Sequence, residues 1–73
     1  MSKNSELLEL TGKVIEVLPA NMFRVKIDAN EHIILCYMGG KLKLHKIKVI
    51  LGDAVKVEVS PYDLTRGRIK FRL

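Results

Sequence analysis

Apolar residues at every second position most restrict how this chain can fold. In Phe23–Ile27 three apolar side chains alternate with Arg24 and Lys26, and the three valines of Val55–Val59 alternate with polar residues in the same way. This two-residue period buries one face of a segment and exposes the other, which is the pattern of a β-strand. Because the runs are short and separated by turn-forming residues, the sequence predicts an all-β protein.

Five strands are predicted. The first, from Glu6 to Val17, changes register near Gly12, and a glycine inside a strand pattern indicates a bend that lets one long strand serve two sheet surfaces. The other four are expected at Phe23–Ile27, His32–Met38, Val55–Val59 and Arg68–Arg72. Residues rich in turn formers predict turns at Leu18–Asn21, Asp28–Glu31 and Gly52–Asp53 and a loop over Ser60–Gly67.

A bent first strand and a longer link between the third and fourth strands favour a small closed barrel. The five-stranded Greek-key barrel called the OB-fold fits best, and an SH3-like barrel is the alternative. Closure would remove exposed strand edges. In the link we expect a short helical turn and then extended chain from Ile47 to Leu51. The 73 residues allow a single domain, 1–73, with a flexible tail over residues 1–5.

The apolar positions also predict a core. Phe23 and Phe71 alternate with cations, so both rings are expected to be buried. Cys36 is the one cysteine of the chain and lies in an apolar run, which indicates a small buried side chain without a disulfide partner.

The sequence offers little for catalysis. His32 and His45 are far apart and have no cysteine at ligand spacing, whereas a zinc site needs about four ligands. No hydrolase, zinc-protease or phosphate-loop motif occurs, and no apolar run is long enough to cross a bilayer. We therefore expect a cytoplasmic protein that is not an enzyme and has no metal, cofactor, small-molecule substrate or membrane partner.

Positive charge is concentrated in the second half. Residues 1–36 carry four basic and five acidic side chains, net −1, whereas residues 37–73 carry nine and three, net +6. This asymmetry indicates a surface that faces a polyanion. The alternative is a protein-interaction barrel whose charge only keeps it soluble.

Two groups of cations are candidates for that surface. Lysines 41, 43, 46 and 48 lie on the link, behind a glycine pair that lets the backbone approach a ligand closely. Arg68, Lys70 and Arg72 should share one face of the fifth strand, with Arg66 just before it. Because aromatic residues are few, stacking of a threaded single strand is poorly supported, and docking on a folded RNA through phosphates and shape is favoured.

Several segments resemble bacterial translation initiation factor 1. They are LPANMFRV at 18–25, GD at 52–53, PYDLTRGRI at 61–69 and FR at 71–72. The resemblance implies a monomeric OB-fold without enzymatic activity that binds the small ribosomal subunit at the aminoacyl-tRNA site. There it would contact ribosomal RNA and a neighbouring ribosomal protein, exclude tRNA, and work with the second and third initiation factors to place initiator tRNA.

The resemblance extends to individual cations. Lys41 and Gly40 match the lysine and glycine of the family's SGKMRK-like loop, while Lys43 and Lys48 replace arginines. The departures are Gly39 for serine, Leu44 for a basic residue, Lys46 for an aromatic residue and Tyr37 for histidine. A less specific RNA chaperone with an OB-fold is the alternative function. The expected RNA-binding residues are Arg24, Gly40, Lys41, Lys43, Lys46, Lys48, Arg66, Arg68, Lys70 and Arg72.

Overall fold

The computed structural model describes residues 7–39 and 48–73, and all regular elements in these ranges are β-strands. The strands are β1 Leu8–Leu18, β2 Met22–Ile27, β3 Ile33–Met38, β4 Ala54–Ser60 and β5 Asp63–Arg72. They form a closed barrel in the order β1-β2-β3-β5-β4, and of these strand pairs only β3 and β5 run parallel. This confirms the predicted OB-fold. The described segments include no helix that could span a membrane.

Some expectations fall on residues outside the described ranges. These are the flexible tail over residues 1–5, the helical turn in the link, Gly40 and the lysines 41, 43 and 46. The described part of the link starts at Lys48, buries Val49 in the core and turns at Leu51–Gly52. Backbone hydrogen bonds from Val14 to Asp53 and from Gly52 to Val14 attach this part of the link to β1.

Gly12 is the point at which β1 passes from one partner strand to the other. Residues 8–13 pair with β4 and residues 12–18 pair with β2, so Gly12 lies opposite both Ile27 and Val55. A Cβ atom at Gly12 would overlap the Lys26 carbonyl oxygen, so this close crossing requires glycine. A bulge at Ile15 follows and bends the strand further. The predicted bent first strand is therefore confirmed.

The core consists of the inward side chains of all five strands. Phe23 is buried as predicted, and so is Cys36, where burial raises the pKa of the thiol to about 12. Fully buried aliphatic side chains surround them: Val14, Val25, Ile27, Ile34, Val55, Val57, Val59 and Ile69. A thiol with so high a pKa stays protonated near neutral pH, and the protonated thiol is a poor nucleophile.

The predicted burial of Phe71 is wrong, since its ring is 48% exposed. Val57 pairs with Ile69 and Lys56 pairs with Phe71, which leaves Lys70 as an extra residue in a bulge. The extra residue shifts the alternation by one position and turns Phe71 outward. There Lys70 places its ammonium nitrogen 5.9 Å from the centre of the Phe71 ring.

The predicted loop over Ser60–Gly67 is also wrong, because β5 begins at Asp63 after a turn at Pro61–Tyr62. Ser60 pairs with Asp63, and the Ser60 hydroxyl accepts a hydrogen bond from the Tyr62 backbone N–H. Asp63 accepts hydrogen bonds from the N–H and hydroxyl of Thr65. The side chains of Ser60 and Asp63 therefore accept hydrogen bonds from nearby backbone and hydroxyl groups at the start of β5. Strand β5 pairs with β4 on one side and with β3 on the other.

Gly12→Ala should lower the free energy of unfolding by about 1–3 kcal/mol, because the added methyl group would overlap the backbone of β2. Thr11→Ala at the neighbouring exposed position is the matched control and should change the free energy of unfolding by less than about 0.5 kcal/mol. Urea unfolding of both variants measures the difference. Equal stabilities of the two variants would contradict the role assigned to this crossing.

Candidate nucleic-acid interface

The outer face of β2, β3 and β5 brings together cations from distant parts of the chain. Arg24 on β2 lies opposite Leu35 on β3, and Leu35 lies opposite Arg66 on β5. In the next row, Tyr37 on β3 lies opposite Arg68 on β5. Because adjacent strands are about 4.8 Å apart, the backbones of Arg24 and Arg66 are separated by about 10 Å. We call this surface the cationic face; its outward residues are Arg24, Lys26, Ile33, Leu35, Tyr37, Arg66 and Arg68.

An open groove of about 590 Å³ runs along the β5 side of the cationic face. Its lining residues are Leu7, Tyr37, Glu58, Ser60, Asp63, Arg66, Gly67 and Arg68. Tyr37 is about half exposed and lines the groove together with Arg66 and Arg68. The groove therefore combines the flat aromatic surface and the forked cations that suit bases and phosphates.

Arg66 is available in this groove to an outside anion. Within residues 7–39 and 48–73, no carboxylate oxygen lies within 4.0 Å of its guanidinium group. Hydrogen bonds from Thr65 lower the pKa of the nearby Asp63, and the charge of Arg66 lowers it further. The planar guanidinium group of Arg66 can donate two parallel hydrogen bonds to one phosphate group.

Arg68 and Lys70, by contrast, already bind carboxylates. Arg68 Nη2 lies 2.5 Å from Glu58 Oε1, Lys70 Nζ lies 3.2 Å from Glu58 Oε2, and Lys70 Nζ lies 2.7 Å from Glu9 Oε2. Lys56 lies 4.0 Å from Glu9. We call these five residues the seam network, because they connect β1, β4 and β5 where the barrel closes.

Burial distinguishes the two acids of the seam network. The side chain of Glu58 is only 12% exposed, whereas that of Glu9 is 46% exposed. The hydrogen bond from Arg68 is the largest cause that lowers the pKa of Glu58, and the hydrogen bond from Lys70 is the largest for Glu9. Exposed ion pairs contribute at most about 1 kcal/mol, so Glu58 is the stronger anchor of the network.

The remaining predicted cations divide between two places. Arg24 lies on the cationic face and pairs with Glu16 at 3.3 Å, with both side chains about half exposed. Arg72 lies opposite the buried Val55 and donates a hydrogen bond to the Lys48 carbonyl oxygen at 3.0 Å. The bulge at Lys70 therefore separates Arg72 from Arg68, and the predicted common face of the strand-five cations is wrong for Arg72.

Two features of the site were missing from the predicted residue set. Lys26 lies two positions after Arg24 and extends the cationic face. The alternation of β2 in the sequence already indicated that the two side chains share a face. Glu58 lines the groove and holds two cations, which no sequence pattern indicates because its partners are ten or more positions away. In the described part of the chain, no group of three or more histidine, cysteine or acidic residues is placed to hold a metal.

A closed five-stranded OB barrel with arginines and an exposed tyrosine on its β2–β3–β5 surface has the architecture of nucleic-acid-binding OB-fold proteins. Comparison with protein families is consistent with this class. The family "Translation initiation factor 1A / IF-1" matches residues 1–73. The chain therefore belongs to this family of initiation factors in protein biosynthesis.

Several solved structures have folds similar to that of this chain. The solution structure of translation initiation factor 1 from the Wolbachia endosymbiont strain TRS of Brugia malayi is 49% identical, with a TM-score of 0.79 over 99% of this chain and 84% of that one. YjeQ from Thermotoga maritima is 30% identical with a TM-score of 0.73, over 90% of this chain but 23% of that one. YloQ, a circularly permuted GTPase, shares the fold at 17% identity and a TM-score of 0.75, over 100% of this chain and 25% of that one.

The pKa shifts of the seam network predict a loss of stability in acid. The folded-state pKa values of Glu9 and Glu58 are lowered, so their contribution is present above the ordinary value of 4.5 and is lost as the pH falls through the folded-state values. Glu58→Gln should therefore make unfolding less dependent on pH below about pH 5. Urea unfolding over a pH series measures this.

Ser60→Ala, a neighbouring change that removes no charge, should keep the wild-type dependence on pH. Identical pH profiles for wild type and Glu58→Gln would show that Glu58 does not stabilise the fold through its charge.

Proposed function

We propose that this chain binds the small ribosomal subunit at the aminoacyl-tRNA site through phosphate contacts to ribosomal RNA. By occupying the site it blocks tRNA entry, and it assists the second and third initiation factors in placing initiator tRNA. It acts as a monomer and catalyses no reaction. Membership of the initiation factor family supports the proposal, and one structural observation carries it. Arg66, which has no carboxylate partner among the described residues, lies beside Tyr37 and Arg68 in a groove of the cationic face.

The groove geometry suits a folded RNA better than a threaded strand. Tyr37 is the single aromatic side chain among the described residues that line the groove, so successive bases have no series of rings there on which to stack. Cations fixed on rigid strands instead match phosphates that are already held in place by RNA structure. Occupancy of a preformed RNA surface requires only this complementarity and no catalytic group.

Residues outside the described ranges complete the proposed interface. Gly40, Lys41, Lys43 and Lys46 enter it through the family resemblance and the charge of the link. Lys48 lies at the start of the described link, and its carbonyl group is held by Arg72. The proposed contact with a neighbouring ribosomal protein also comes from the resemblance.

Binding to isolated small subunits tests the proposal. Labelled protein should bind saturably at one copy per subunit, and a tRNA anticodon stem-loop placed in the aminoacyl site by its codon should displace it. With about five phosphate contacts, log affinity should fall with log salt with a slope near −4. Equal binding to an unrelated single-stranded RNA would instead favour a general RNA chaperone, and a flat salt response would favour a protein-interaction barrel.

Arg66→Gln should weaken subunit binding by about fivefold to tenfold and reduce the magnitude of the salt slope by about 0.8, the share of one phosphate contact. Lys56→Gln is the matched control: it removes the same charge from β4, outside the groove, and should change affinity by less than about twofold. Both variants should unfold at the wild-type urea concentration. Equal losses of affinity would show that only net charge matters.

A further inference from the structure

Glu58 lies in the groove that the proposed function assigns to RNA phosphate. It lines the groove together with Tyr37, Arg66 and Arg68, and its carboxylate contacts Arg68 at 2.5 Å and Lys70 at 3.2 Å. A carboxylate in the groove repels phosphate, so attraction of RNA alone does not explain the position of Glu58. Glu58, the more buried acid of the seam network, therefore also lines the groove.

The contacts of Glu58 make it a direct competitor for an incoming phosphate. Arg68 directs Nη2, one of its forked donors, at Glu58, so a phosphate reaching that edge must take the place of the carboxylate or bind beside it. In both cases the negative charge of Glu58 opposes the phosphate at short range. Because Glu58 is largely buried, it cannot swing into solvent as freely as an exposed acid.

We propose that Glu58 lowers the affinity of the cationic face for RNA phosphate and thereby speeds release from the RNA. This rests on the proposed function and assigns to Glu58 the regulation of the same site. A phosphate at Arg68 then binds against the charge of Glu58, either by displacing the carboxylate or beside it, whereas at Arg66 no carboxylate of the described residues competes. Glu58 is therefore both an anchor of the seam network and a limit on the affinity of the cationic face.

Glu9 provides the matched control. It holds the same Lys70, at 2.7 Å, and its removal raises the net charge by the same amount. Glu9 is not among the described residues that line the groove. A general charge effect would therefore act equally in Glu9→Gln and Glu58→Gln, whereas local competition acts only in Glu58→Gln.

The experiment measures affinity, dissociation rate and salt slope of the full chain on isolated small subunits. Glu58→Gln should bind about threefold to tenfold more tightly, as expected for removing a like charge about 5 Å from a phosphate when the pair is screened almost as in bulk water. The gain should appear as slower dissociation, with a salt slope steeper by about 0.8. Glu9→Gln should change affinity by less than about twofold.

Equal gains in the two variants, or a folded Glu58→Gln with wild-type affinity, would overturn the proposal. Arg68→Gln is a second test that does not depend on the folding of Glu58→Gln. It removes one of the two cations that pair with Glu58 and leaves the carboxylate in the groove without Arg68, so it should weaken binding more than Arg66→Gln does; an equal or smaller loss would also overturn the proposal. If the wild-type chain shows no saturable, salt-dependent binding, the proposed function itself fails.

Discussion

The close crossing of β1 at Gly12 is the contact on which the rest of the barrel depends. At this residue one strand pairs with β2 on one side and β4 on the other, so a single chain segment joins both ends of the sheet. A side chain there would collide with the carbonyl group of Lys26. Without the crossing, β1 would leave one of its partners unpaired and the sheet would keep open edges.

Closure also explains why charges that are distant in the sequence act together. The parallel pairing of β3 with β5 brings Arg66 and Arg68 beside Leu35 and Tyr37. The pairing of β3 with β2 then adds Arg24 from the acidic half of the chain to the same face. The cationic face is therefore a property of strand order, and charge counted along the sequence describes only part of it.

Much of the fold could be predicted because alternation reports burial directly. The strands around Phe23 and Val57 alternate between buried and more exposed positions, and their two-residue period is uninterrupted. The period fails at the β5 bulge, where the extra Lys70 exposes Phe71 and moves Arg72 off the face of Arg68. A bulge is set by cross-strand register, which a single segment does not contain.

The site was less predictable than the fold for a related reason. Sequence patterns identify cations, but whether a cation is free depends on acids that lie across the sheet. Arg66 and Arg68 are two positions apart on one strand and look equivalent in the sequence. In the barrel Arg66 has no carboxylate partner among the described residues, whereas Arg68 is bound to Glu58.

This difference links stability to binding. In a small barrel, ion pairs across the closing strands add to a limited core, and Glu58 forms such pairs with Arg68 and Lys70 of β5. The same pairs neutralise part of the positive charge on this side of the barrel. On the proposed function, the chain must leave the aminoacyl-tRNA site before tRNA enters, and release requires that its affinity for RNA stays moderate. On this proposal, Glu58 stabilises the free barrel and also favours release from RNA.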